Sequence, residues 1–94
     1  LVEITAAEAV VESLRAEGVK HVFGLPGSCM LEILDVLYDA QDINFISTRH
    51  EQVAAHMADA YARISGTPGI CLTTNGPGAT NLVTGVAGAL LAHS

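Results

Sequence analysis

Three β-prone runs, each followed by a turn and then by a helical pattern, constrain this chain more than any other feature. The runs are His21-Val22-Phe23-Gly24, Asn44-Phe45-Ile46-Ser47-Thr48 and Gly69-Ile70-Cys71-Leu72-Thr73-Thr74. Strands separated by helices need crossover connections. The alternation therefore predicts an α/β fold: a three-layer, doubly wound, mostly parallel sheet with helices on both faces. A helix over about residues 5 to 17 precedes the first strand. Thr5-Ala6-Ala7-Glu8 has capping-box spacing, and Ala6, Ala9, Val10, Ser13 and Leu14 recur near the helical period as far as Glu17-Gly18. Leu31, Leu34, Leu37 and Tyr38 trace a second helix, and Val53, Met57, Ala60, Tyr61 and Ile64 a third that starts at Glu51 and stops at Ser65-Gly66. A fourth passes through Leu82, Val86, Ala89 and Leu90.

The 94 residues can enclose one core and little else. Half of them are hydrophobic, and the abundance of alanine and glycine suits helices packed closely on a sheet. A net charge of -6, with Arg15, Lys20, Arg49 and Arg63 the whole cationic complement, excludes a nucleic-acid-binding surface. Cys29 and Cys71 form neither a CxxC nor a zinc-ligand pattern and read as reduced thiols packed as small apolar groups, which fits a cytoplasmic setting. The most apolar stretch, 70–92, is interrupted by Asn75, Gly76, Pro77, Gly78 and Asn81, so neither a membrane span nor a signal peptide is expected. The chain opens on Leu1 and its last residue, Ser94, follows directly on a helical pattern, the expected appearance of a piece of something longer.

In open parallel sheets, ligands sit at the carboxyl ends of the strands. Three loops would gather there: Gly24-Leu25-Pro26-Gly27-Ser28, Ser47-Thr48-Arg49-His50-Glu51-Gln52, and Asn75-Gly76-Pro77-Gly78-Ala79-Thr80-Asn81. His50-Glu51 opens like an HExxH zinc site, but position 54 is Ala, and His56 lies roughly 240° round the helix from His50. The third loop resembles a dinucleotide-binding turn, but Asn81 stands where the third glycine belongs and Pro77 stiffens the turn. Glu51 alone is explained by the positive end of a helix dipole. Its place at a strand terminus between two glycine-proline loops makes it site-like, and the most probable chemically active residue of the chain.

Taken together, TAAEAVVESLRAEGVKHVFGLPGS, RHEQVAAHMADAYAR and GICLTTNGPGATNLVTGVAGALLAHS resemble the N-terminal pyrimidine-binding domain of thiamine-diphosphate enzymes, most closely those of the acetolactate synthase type. The resemblance covers nearly the whole chain and implies that residues 1–94 are part of a longer multidomain enzyme. It gives Glu51 a hydrogen bond to N1′ of the cofactor aminopyrimidine, favouring the imino tautomer whose N4′ takes the thiazolium C2 proton; the resulting ylid attacks a 2-oxo acid. A raised Glu51 pKa would suit that task. Pro26, Gly27, Gly76, Gly78 and Asn81 are the other candidate cofactor contacts, and Ser28, Cys29, Asn75 and Gln52 candidate substrate contacts. Asn75 is expected rather to cap its turn. Synthases commonly carry Gly then Ala where this chain has Ser28 and Cys29. Its Pro-Gly-Ser loop is closer to benzoylformate decarboxylase, which keeps a simple decarboxylase or lyase open beside decarboxylation with carboligation.

The family's diphosphate and Mg²⁺ ligands belong to a GDG…N motif that this chain lacks, so no metal ligand is assigned here. FAD is a candidate second cofactor. The partners implied are a 2-oxo acid and the diphosphate-binding domain of a neighbouring subunit, in a homodimer or tetramer. Two other readings stand beside this one: a non-catalytic homologous domain, and a flavodoxin-like mononucleotide module that the fold alone would permit. Arg49 is expected in an ion pair, Asp59 and Arg63 in a helix-surface pair, His50 in a structural or interfacial role, and His21, His56 and His93 as surface or packing residues.

Overall fold

The computed structural model describes residues 3–92. Helix α1 (Ala6–Ala16) begins at the expected capping box: the Thr5 hydroxyl accepts from the Glu8 N–H at 3.1 Å, and the Glu8 carboxylate accepts from the Thr5 N–H at 3.1 Å. Strand β1 (His21–Gly24) leads through the first glycine loop and a 3₁₀ turn, Ser28–Met30, into α2 (Leu31–Asp39). Strand β2 (Asn44–Ser47) leads into α3 (Glu51–Ser65), which ends at Gly66. The third unit is β3 (Ile70–Leu72), a single helical turn α4 (Pro77–Thr80), and α5 (Val83–Leu91).

The sheet runs β2-β1-β3, all parallel, with Val22 opposite Phe45 on one side and Ile70 on the other. Side chains alternate across β1, which separates two cores. Val22 points into a cluster with Val11 of α1, Val19, Leu37 of α2, and Ile43. Phe23 points the other way, against Ala54 and Ala58 of α3. Helix α5 packs on α3, where Gly85 leaves no room for a Cβ beside that of Ala55. The expected open three-layer sheet is therefore present, with α1 and α2 on one face and α3 with α5 on the other. Among the described residues, no helix is long and apolar enough to cross a membrane.

Three expectations about the helices need correction. The buried line of α1 is Ala7 and Val11 with Leu14 beside them, not Ala6, Val10 and Ser13, which are exposed. In α3 the buried residues are Glu51, Ala54, Ala55 and Ala58, whereas Val53 and Ile64 face outward. In α3 small side chains occupy the contact line because its backbone approaches the sheet closely, and larger apolar groups are displaced to the flanks. The third correction lies in the third glycine loop, where Pro77–Thr80 form an additional helical turn, α4, and Asn81 and Leu82 a turn before α5, which is the fourth expected helix.

Candidate active site

The carboxyl ends of β1, β2 and β3 bring the three loops together as expected, with Glu51 joining the second loop to the third and Thr74 joining the third to the first. Glu51 is the first residue of α3 and only 7% exposed, although it is charged. Its Oε1 accepts a hydrogen bond from Asn81 Nδ2 at 3.1 Å, which joins the second loop to the third. Gly78 is buried against the same group. A Cβ there would lie 3.3 Å from Glu51 Oε2 and 2.7 Å from Thr74 Cγ2, so any other residue would push into the carboxyl or the loop.

The Glu51 carboxyl is held below the usual glutamate range, not above it. Its own backbone N–H contributes most, the Asn81 amide next and the neighbouring His50 least, and together they outweigh desolvation. The carboxyl is covered by immediate neighbours at the rim of the sheet rather than sunk in the apolar core, so loss of hydration is the weaker effect. Held in this way, Glu51 is an ionised hydrogen-bond acceptor at neutral pH.

Thr74 connects the first loop to the third. Its side chain fills the place of a Cβ on Gly27, which would lie 2.6 Å from Thr74 Cβ, and its Oγ1 lies 2.8 Å from Cys29 Sγ. The same sulfur accepts from the Asn75 N–H at 3.4 Å. These bonds lower the Cys29 thiol pKa, the Thr74 hydroxyl more than the Asn75 amide. Cys29 is exposed, which corrects the expectation of a packed apolar thiol; Cys71, half-buried beside Phe23, meets it, and burial raises its pKa. Ser28 is exposed at the start of the 3₁₀ turn.

Asn75 does not cap its turn. The N-cap of α4 is Gly76, whose φ of 66° and ψ of -121° lie where a side chain is strained, and Asn75 is exposed next to Cys29. Pro26 lies apart, in a cavity of about 550 Å³ shared with Leu34, Leu37, Tyr38 and Phe45. Gln52 turns along α3, its Nε2 3.4 Å from His56 Nε2. His50 caps α3, its Nδ1 accepting from the Gln52 N–H at 3.0 Å, and His21 packs edge-on against Tyr61. Arg49 is exposed and joins none of the ion pairs formed among the described residues, which are Arg15 with Glu12 and Asp42, and Arg63 with Asp59 as expected. His93 lies outside the described residues. No cluster of three or more His, Cys, Asp or Glu side chains suited to a metal occurs among the described residues.

Sequence reasoning passed over Thr48 and Thr74 as ordinary strand residues. Both end a β-prone run at the edge of a candidate loop, Thr48 within the second and Thr74 just before the third, which is the one signal that could have marked them.

The family model described as "Thiamine pyrophosphate enzyme, N-terminal TPP binding domain" matches residues 4–94. A probable acetolactate synthase large subunit of Methanocaldococcus jannaschii is 60% identical over 81 residues, covering 86% of this chain and 14% of that protein. An acetolactate synthase of Arthrospira platensis is 54% identical over 91 residues, 94% of this chain and 16% of the relative. The acetolactate synthase isozyme 3 large subunit of Escherichia coli K12 is 50% identical over 88 residues, 94% and 15% respectively. The chain thus spans between 14% and 16% of the length of these curated relatives.

Proposed function

Because the chain belongs to the thiamine pyrophosphate enzymes, as their N-terminal TPP binding domain, we propose that it supplies the aminopyrimidine half of the active site in an enzyme of the acetolactate synthase type. The observation that carries this reading is the buried Glu51 carboxylate, held by Asn81 with Gly78 against it. Thiamine diphosphate, when bound, supplies the carbon nucleophile for decarboxylation of a 2-oxo acid and carboligation to a second one.

The residues of this chain bind and tune. Glu51 would accept at N1′ of a bound aminopyrimidine and share a proton there. Asn81 occupies part of Oε1 and so fixes the plane of the carboxyl, and the missing side chain of Gly78 leaves the Oε2 side clear for a flat ring. A second domain closing over the loops would remove water from Glu51 and move its pKa upward, toward the range where a proton is readily shared. Gly27 and Gly76 border the cofactor in this reading. Pro26 belongs to the same loop but reaches it only if the loop shifts.

The partners in this reading are those of the family. The diphosphate and Mg²⁺ are held by a separate domain of a neighbouring subunit, in a homodimer or tetramer. Val83, Val86, Leu90 and Leu91 of α5, all more than half exposed, give that assembly an apolar surface to cover. FAD, if bound, lies outside these residues, and free thiols at Cys29 and Cys71 suit a cytoplasmic enzyme.

In the full-length protein, Glu51→Gln is expected to slow C2 proton exchange of bound thiamine diphosphate by about a hundredfold or more, as measured by deuterium exchange. Unchanged exchange would refute the role given to Glu51. Product analysis with pyruvate separates the chemistries: acetolactate supports the synthase reading. Aldehyde alone supports the decarboxylase suggested by the exposed Ser28.

A further inference from the structure

Among the described residues two polar side chains are buried, Glu51 and Thr48, each 7% exposed. The reading above explains the first and leaves the second without a task. A buried hydroxyl is costly unless it is hydrogen-bonded, so its partners indicate its role. Thr48 Oγ1 donates to the backbone carbonyl of His50 at 2.9 Å and lies 3.4 Å from the carbonyl of Gly24. Its own N–H donates to that Gly24 carbonyl at 2.8 Å. Thr48 therefore ties the end of β2 both to the first glycine loop and to the residue before Glu51.

The geometry points to Thr48 as a positioning residue for Glu51, acting by fixing the peptide group between His50 and Glu51. That group is planar, so holding the His50 oxygen also sets the direction of the Glu51 N–H. The same oxygen accepts the first hydrogen bonds of α3, from Val53 N–H at 3.1 Å and Ala54 N–H at 3.4 Å. Thr48 thus grips the helix at the turn from which the carboxyl projects toward Asn81. Without the hydroxyl, the His50 carbonyl keeps its helical partners but loses its link to the sheet. The carboxyl can then rotate away from Asn81.

This proposal rests on Glu51 serving the cofactor, and the test separates the two claims. Thr48→Val, which keeps the shape and removes the donor, and Thr48→Ser, which keeps the donor and removes a methyl, are compared in the full-length enzyme with thiamine diphosphate and Mg²⁺. At saturating cofactor, valine is expected to slow C2 deuterium exchange and kcat about tenfold, with KM for the 2-oxo acid unchanged within about twofold; serine stays within about twofold throughout. Normal exchange in the valine variant overturns the proposal. So does a serine variant as slow as valine, since packing would then be what matters. If the valine protein does not fold, Thr48→Cys, a weaker donor of similar size, takes its place with the same two outcomes. Glu51→Gln, run alongside, distinguishes the failures: lost exchange there with normal exchange in Thr48→Val overturns this proposal alone. Normal exchange in Glu51→Gln overturns the reading of Glu51 itself.

Discussion

On the Val22 face of the sheet, branched and long aliphatic side chains meet: Val11, Val19, Val22, Leu37 and Ile43 close a core. On the Phe23 face the buried helix residues are Ala54, Ala55, Ala58 and Gly85, while Val53, Ile64, Val83, Val86 and Leu90 face outward. A cavity of about 320 Å³ lies there between α3, β3 and α5, lined by Ala58, Ala62, Cys71, Gly85 and Ala89 among others. The first face buries area and supplies stability. The second lets α3 approach the sheet and α5 approach α3 closely, with Asn81 at the start of that contact bonded to Glu51, and it leaves apolar surface uncovered. Folding and function thus draw on opposite faces of one sheet.

The comparison is tested most severely by Leu37→Ala. Removing this side chain from the closed core should cost about 2–5 kcal/mol, seen as a fall in the melting temperature of the full-length protein. C2 exchange measured below that transition should stay near normal, because Leu37 belongs to the closed core and makes none of the contacts that hold Glu51. An equal loss in exchange would show that the two faces are not separable. Next in size is Gly85→Ala, whose new Cβ would overlap Ala55 Cβ. Overpacking of this kind costs about 1–3 kcal/mol, less than the cavity at Leu37. Its mark should be functional, since pushing α5 from α3 draws Asn81 away from Glu51, and exchange should fall at temperatures where the protein is folded. A variant that loses stability but keeps exchange would break the assignment of function to this face.

The order of elements and the meeting of the three loops were legible because strand period, helical period and glycine turns are local signals. Which side of each helix is buried was less legible. Weighing large apolar residues placed Val53 and Ile64 inside, whereas close approach to a sheet selects Ala54 and Ala58. The helical turn α4 was hidden because Gly76, Pro77 and Gly78 read as a loop. The direction of the Glu51 shift could not be read from the residue's own surroundings in sequence. It depends on Asn81, thirty positions away, and on a backbone donor whose direction is set by the turn. The task of Thr48 was invisible for the same reason, since Gly24 becomes its neighbour only when β1 and β2 pair.

The smallest expected effect concerns charge on the closed face. Arg15 of α1 donates to both carboxylate oxygens of Asp42, from Nε at 2.6 Å and Nη2 at 3.1 Å, and so ties the helix to the turn before β2. The bond to Arg15 holds the Asp42 carboxyl below its usual range. A carboxyl with a depressed folded pKa contributes stability above its unfolded pKa and loses it as pH falls through the folded value. The contribution is therefore present at neutral pH and fades in acid. Both groups are solvent-exposed, and exposed pairs are worth little because water and salt screen them. Arg15→Gln should accordingly lower the melting temperature least of the three variants, and the difference from wild type should disappear in about 1 M salt, where the screening length is about 3 Å. The loss in Leu37→Ala should persist in the same salt. If instead Arg15→Gln matched Leu37→Ala, or its effect survived high salt, the closed face would owe its stability to the ion pair, and the contrast between an aliphatic face and a small-residue face would fail at its stronger half.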